Sequence, residues 1–526
     1  MMAGTEVVTA HNQEADNSNK RHNKTKMIKA NTYILATIGV LLFSNSMVGQ
    51  SYVEVLRYSQ KFPQSTARSA ALGNAMGALG GDAGAIAINP AGLGVYRTSE
   101  LMGTFSFNST ATTGNFLSNN QKDMKANLNI SNLGFVIGKV RKQNGVAKTN
   151  GWVSVNFSLL FNRSNTFHQN IAVQGVNTKN SITDSYAQDG QVLPNQLPVS
   201  SYGYLGYYAY LTDSISSMPG KYISIASKYL NNAPYALFQQ DLITTRGAAN
   251  DISTSLGANY SNKLYLGATI NLSTVGFHSE RTFTEVNNTP ASQAIYQKST
   301  LTENVNTTGL GFGVTLGVLG KPTEWLRVGA SVSLPTFYRL NDVYNVGVVG
   351  FAYGNVYRQD SFPDYEFSYN ISTPIKATGS IAILAGKNGL ISADLEYIDY
   401  TTGRFSRSFD GSRFRNNEIQ TVLQPGYNVR FGGEYRIEQF YLRGGFASYS
   451  SPYKKEFVNN INTGTQIISF GGGYKETDGF FLDLGLQIAN SQSIYTPYTL
   501  TGANFAPSAT LTTNRVNFLI TIGTKI

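Results

Sequence analysis

The C-terminal stretch sets the tightest limit on what this chain can fold into. Val516, Phe518, Ile520, Ile522 and Ile526 fall on one face of an extended strand, and Arg515, Asn517, Thr521 and Lys525 on the other. That period of two is the signature of a strand with one apolar and one polar side. A chain that ends on such a strand, with an apolar last residue, has the ending that outer-membrane barrels use for assembly and closure. Beyond the N-terminal region no stretch reaches the roughly eighteen apolar residues of a membrane-crossing helix, so the chain can span a bilayer only as a closed barrel.

The alternation recurs. It runs through Val153, Val155, Phe157, Leu159 and Phe161; through Leu264, Leu266, Ala268, Ile270 and Leu272; and through Leu310, Phe312, Val314, Leu316 and Val318. Each run is about the length that a tilted strand needs to cross a membrane. Opposite the third run stand Gly309, Gly311, Gly313, Thr315 and Gly317, too small to fill a soluble core but suited to a lumen or an inserted plug. No helix pattern follows them, which removes the nucleotide-binding glycine loop. Further strands are expected at 326–334, 371–385, 390–400, 429–435, 440–446 and 467–474, separated by turn clusters such as Lys387, Asn388, Gly389 and Thr477, Asp478, Gly479. Asp394 and Glu396 alternate with Leu395 and Tyr397, so the acids should face a polar lumen and their neighbours lipid. From about His168 to Gln239 the rhythm breaks in a Tyr-, Asn- and Ser-rich segment with a short helix expected near Ile223 to Leu230.

Composition agrees with an all-β membrane barrel: 14% of residues are charged, while Gly reaches 52, Tyr 32 and Phe 29. The net charge of +10 comes from scattered Lys and Arg rather than patches interleaved with aromatics, which argues against nucleic acid as a partner. Cysteine is absent, which excludes disulfides, Cys-based zinc sites, catalytic thiols and a lipid-modified N-terminus. No His stands near a Ser or Asp in a catalytic motif, so no enzyme activity, catalytic residue or metal site is expected.

At the start, Lys29 precedes the apolar run Ile34 to Phe43, too short for a permanent span and suited to a secretory signal peptide cut near Gly49 and Gln50. The residues before Met27 are polar and aperiodic, and Met27 can itself serve as the start. Behind the signal comes Ser69-Ala-Ala-Leu-Gly-Asn-Ala-Met-Gly-Ala-Leu-Gly-Gly-Asp82, then Asn89, Pro90, Ala91, Gly92 and Leu93. This small-residue stretch with an Asp ahead of an Asn-Pro-Ala triplet resembles the N-terminal hatch of the FadL/TodX family of outer-membrane transporters. The likeness continues at Ser372 to Ile375, Tyr427 to Tyr435, Leu442 to Phe446, Gly472 to Tyr474 and Leu482 to Leu484. It covers nearly the whole chain after the signal, and the 170–240 region is its least family-like part.

The resemblance implies a fourteen-stranded antiparallel barrel with the N-terminal plug inside, working as a monomer in the bacterial outer membrane among its lipid and lipopolysaccharide. Residues 1–49 would be the signal peptide with an N-terminal extension, 50–98 the plug, and 99–526 the multi-pass barrel with its long extracellular loop at about 168–239. Long-chain fatty acids or other hydrophobic small molecules would enter from the extracellular loops and leave sideways into the membrane, with no bound cofactor. Asn89, Pro90 and Ala91 are the gating candidates, with plug packing favoured over ligand contact for them; the ligand-binding residues themselves are not readable. Two alternatives stay open. Some family members are labelled haemin receptors, for which this chain offers His168 and His278; related barrels serve as shuttles in type IX secretion and share the triplet. The channel predicts a continuous apolar pocket between plug and loops, the shuttle a filled lumen.

Overall fold

The computed structural model of the protein describes all residues except 1–50, 63–64, 192–200, 231–235, 289–294, 361–364, 407–411, 459–460 and 502–504. The expected signal peptide therefore lies outside the described residues. Fourteen antiparallel strands form a closed barrel. They are β1 (Glu100–Phe116), β2 (Asn119–Ile137), β3 (Trp152–Thr166, resuming as Gln169–Asn177), β4 (Leu237–Tyr260), β5 (Leu264–Asn287), β6 (Tyr296–Gly320) and β7 (Leu326–Ser333, resuming as Phe337–Ala352). There follow β8 (Asn355–Asp360, Tyr365–Ser372 and Lys376–Ala385), β9 (Gly389–Asp399), β10 (Pro425–Ile437), β11 (Phe440–Tyr449), β12 (Thr465–Lys475), β13 (Phe480–Tyr495) and β14 (Ala509–Lys525). The C-terminal β14 pairs back onto β1 from Glu100↔Lys525 to Asn115↔Thr510, which joins the two ends of the sheet.

Side-chain orientation follows from the two solvents of the wall. Leu395 is 52% exposed on the outer face while Asp394 is 2% exposed inside, as the acid–apolar alternation of β9 requires. Phe105, Ile270, Phe312, Phe431 and Phe470 continue the exposed apolar surface around the barrel. A charge there would cost up to about 2–4 kcal/mol at mid-membrane, which is why the barrel's buried acids and guanidiniums turn inward.

Tight turns at one end include 261–263, 386–388 and 438–439, with a longer connection at 138–151; the other end carries the longest connections, at 178–236, 400–424, 450–464 and 496–508, beside the tight turns 117–118 and 353–354. β4 and β5 have 24 residues and β6 has 25, more than twice the roughly 9–11 that cross a membrane, so they rise above it. Ahead of the wall lie α1 (Tyr52–Ser59), α2 (Ala67–Ala71), α3 (Ala83–Ile88) and a 3-10 helix (Pro90–Val95). On the raised strands sits an insertion with α4 (Ile182–Asp189), α5 (Tyr202–Tyr208) and α6 (Ile225–Leu230), and α7 (Ser412–Val422) follows β9. Ile182, Tyr186, Leu205 and Ile225 pack on Phe283, Leu301 and Val348 of the extended strands. The insertion is narrower than the 168–239 read from composition, because Gln169–Asn177 pairs with the start of β4 as a strand. Its polar sequence hid this: the segment lies against other protein on the lumen side instead of dividing lipid from water.

Candidate functional site

The segment from Ser51 to Ser99 runs along the inner face of the wall. It starts with a capping box, Ser51 with Glu54, at the head of α1. Lower down, small residues on both partners permit backbone-to-backbone contact. A Cβ added to Gly267 of β5 would fall 2.2 Å from the carbonyl carbon of Pro90, and one on Gly445 of β11 would fall 2.2 Å from the amide nitrogen of Gly73. Gly317 of β6 is equally close to Asn89, so one of the alternating glycines read from the sequence does abut the inner segment. Gly309 and Gly311 instead leave room for Leu340 and Tyr338 of β7, and Gly313 for Thr336 in the break between the two runs of that strand.

Asn89 ties this segment together. Its Nδ2 donates to the Gly77 carbonyl at 2.8 Å and to the Val318 carbonyl of β6 at 3.1 Å, while its Oδ1 accepts from the Ala91 amide at 3.1 Å. Pro90 occupies the first turn of the 3-10 helix, where its fixed φ suits the geometry. Ala91 is buried with Tyr265 and Leu319. Asp82 caps α3, accepting from Gly84 N and from Thr66 Oγ1, both at 2.7 Å.

A buried ionic network absent from the sequence-derived candidates anchors the same segment. Arg68 of α2 binds Glu434 of β10 with two nitrogens, at 2.9 and 3.1 Å. Arg443 of β11 binds Glu434 at 2.6 Å and Asp483 of β13 at 2.5 Å. Asp394 of β9 accepts from the amides of Met76 and Gly77 at 3.1 and 3.2 Å. Most of these wall residues lie in segments that carry the family resemblance, where their alternation with apolar neighbours was the available signal.

The wall itself is incomplete on one side. β2 pairs with β3 only from Asn132 to Ile137, although all of β2 above that point remains paired with β1. β3 bulges between Arg163 and Asn165 and then turns inward. A Cβ on Gly114 of β1 would meet Val173 at 2.5 Å, and Gln169 donates to Thr112 of β1 and Thr513 of β14 at 2.9 and 3.2 Å. Long side chains bridge the unpaired stretch: Lys125 Nζ to the Thr245 carbonyl at 3.1 Å, Asn170 to Asp123 at 3.4 Å and Gln174 to Gln121 at 3.4 Å. The inner segment is fastened to the same bend, where the Phe62 amide donates to the Ser164 carbonyl at 3.0 Å and Asn165 donates to the Gln60 carbonyl at 3.2 Å. Lys61 adds an ion pair to Asp251 at 2.8 Å. Burial alone would lower the Lys61 ammonium, but Asp251 beside it outweighs that and holds it above the ordinary lysine range.

Above the glycine contacts, an apolar slot in the lumen is filled by α1. Val55, Leu56 and Tyr58 pack with Phe167, Phe277, Tyr338, Ile371, Phe405 and Ile419, and the Arg57 guanidinium lies 4.0 Å over the Phe277 ring. The chain's own helix thus stands where a continuous apolar pocket was expected, because its apolar face completes the slot. Two cavities of about 230 and 110 Å³ flank the stretch that follows α1. His168 contacts Thr166 Oγ1 at 3.1 Å and His278 pairs with Glu280 at 2.7 Å. Among the described residues no cluster of three or more metal-ligating side chains occurs.

No protein-family model and no curated protein sequence matches the chain. Among solved structures, a Pseudomonas aeruginosa FadL homologue aligns with 88% of this chain and 99% of its own, at 11% identity and a TM-score of 0.52. The Pseudomonas putida toluene transporter TodX aligns with 87% of this chain and 98% of its own, at 11% identity and a TM-score of 0.48. The Ralstonia pickettii toluene transporter TbuX aligns with 89% and 99%, at 14% identity and a TM-score of 0.44. The shared fold is that of FadL-like outer-membrane barrels.

Proposed function

We propose that this chain is a passive bacterial outer-membrane channel for hydrophobic small molecules, with residues 51–98 as its plug and the unpaired stretch between β2 and β3 as a lateral exit. The observation that carries the reading is that stretch. A closed barrel forfeits ladder hydrogen bonds only where something offsets the loss, and here the side chains of Lys125, Asn170 and Gln174 keep the gap bridged by groups able to part. Apolar matter gains about 0.8 kcal/mol per buried methylene, so a ligand leaving sideways passes into lipid without meeting the aqueous periplasm. The fold of the FadL homologue supports the same reading, and long-chain fatty acids are the ligand class that the family resemblance proposes.

Asn89, Pro90 and Ala91 serve gating in this scheme as the fixed seat of the plug rather than as ligand contacts, since the Asn89 side chain is spent on the Gly77 and Val318 carbonyls and the Ala91 amide. A filled lumen also suits a protein shuttle, but a shuttle gives no reason for plug residues 60–62 to be tied to the β3 bend. The test exploits the absence of native cysteine. Asp123→Cys and Asn170→Cys are joined across the gap with a short reducible dithiol linker in cells making the protein, and uptake of labelled toluene and labelled palmitate is followed. Uptake lost on linking and regained on reduction supports the lateral channel; uptake indifferent to the linker sinks it. Palmitate alone failing would remove only the fatty-acid specificity.

A further inference from the structure

The larger cavity, about 230 Å³, lies between the plug and the wall formed by β11 to β14. One side is apolar: Phe62, Tyr449, Ile467 and Ala489 pack together there, with the Phe62 and Tyr449 rings edge to face at 5.1 Å between centroids. The other side carries Arg515 of β14, which shares the inward face of that strand with Thr513 and Asn517. Arg515 is the single charged side chain lining the cavity among the described residues. Its Nε is buried without a hydrogen-bond partner, and no ion pair or ring contact involves it among the described residues. Every other arginine turned into the plug-filled lumen and discussed above has an acid, an amide oxygen or a ring against it. In the neighbouring smaller cavity Lys61 pairs with Asp251 at 2.8 Å and Arg430 with Glu396 at 3.5 Å.

An arginine cannot shed its proton, and Arg515, partly buried with its Nε sealed from solvent, has no anion beside it among the described residues to offset that burial. Its planar fork matches a carboxylate. Size sets the remainder of the ligand, because a cavity of about 150 Å³ already accepts benzene, so this one has room for a single ring or a short chain together with a carboxylate. We infer that the cavity beside Arg515 is a binding site for a small monocarboxylate with an apolar body, the carboxylate on Arg515 and the body against Phe62, Tyr449 and Ile467. This narrows the uptake reading and rests on it. Gln60 and Phe62, which line the cavity, also hold the β3 bend, so an occupant is separated from the lateral gap by this one stretch of plug.

The test is calorimetric titration of the full barrel in detergent with benzoate and with its neutral analogue benzyl alcohol. Benzoate should bind at least about tenfold more tightly than benzyl alcohol, and Arg515→Gln should weaken benzoate by about ten- to a hundredfold while Arg515→Lys restores part of the loss. Equal binding of benzoate and benzyl alcohol to the wild-type barrel overturns the inference, and this comparison stands even if Arg515→Gln fails to assemble. So does Arg515→Gln binding benzoate as the wild type does. Uptake of neutral toluene by cells making the wild-type protein separates the two levels: toluene uptake without Arg515-dependent benzoate binding removes only the carboxylate site, and Arg515-dependent binding without any uptake keeps the site and removes the channel.

Discussion

The two halves of the inner segment are held by different physics. From Thr66 to Tyr96 it is seated backbone to backbone on wall glycines and pinned by the buried network of Arg68, Glu434, Arg443 and Asp483. From Ser51 to Phe62 it is held by an apolar helix face in a slot, one ion pair and a few hydrogen bonds to a bent strand. Buried charge contacts fail only at large cost, whereas an apolar helix can exchange its slot for another apolar occupant at little net cost. On the proposed channel reading, the lower half serves as the fixed seal and the upper half as the movable part.

That contrast can be broken most easily at Arg443. Arg443→Ala strands Asp483 inside the barrel and leaves Glu434 to Arg68 alone; it should cost about 3–5 kcal/mol, read as a lowered midpoint for heat-induced loss of the compact electrophoretic form. Gly445→Val pushes a side chain into the Gly73 backbone; a cost of about 1–3 kcal/mol and raised single-channel conductance in a planar bilayer are expected. Removing the Asn89 cap with Asn89→Ala should cost about 1 kcal/mol and increase protease cutting within 72–81, a segment it binds through Gly77. The smallest effect on stability is expected for Leu56→Ala, below about 1 kcal/mol, with faster toluene uptake. The 2–5 kcal/mol that such a truncation costs in a rigid core would show that α1 is as fixed as α2 and would end the distinction.

Much of the wall was legible because lipid and lumen impose opposite demands on successive residues. Asp394 beside Leu395 declares its direction without any neighbour in view, and the C-terminal strand does the same. At the triplet that the sequence singled out, the Asn89 side chain accepts from the Ala91 amide and Pro90 opens the 3-10 helix. The inward run of β3 was hidden, since Asn162 to Asn177 no longer separates lipid from water and so loses its period of two; polar composition then reads as loop. The network around Glu434 and the isolation of Arg515 were hidden for another reason. An inward-facing charge is visible in one strand, but its partner, or the lack of one, depends on strands far away in sequence.

The pairing of β14 with β1 has a further consequence, for the order of construction. The cylinder cannot shut until the last residues of the chain are available, yet the segment it must enclose is the first of the described residues to be synthesised. That segment has to wait near the forming sheet and be wrapped as the sheet curls, so its anchors on β10 to β13 are contacts that late strands bring to it. Weakening them should register in how quickly newly made protein becomes protease-resistant, before any difference appears in the finished barrel.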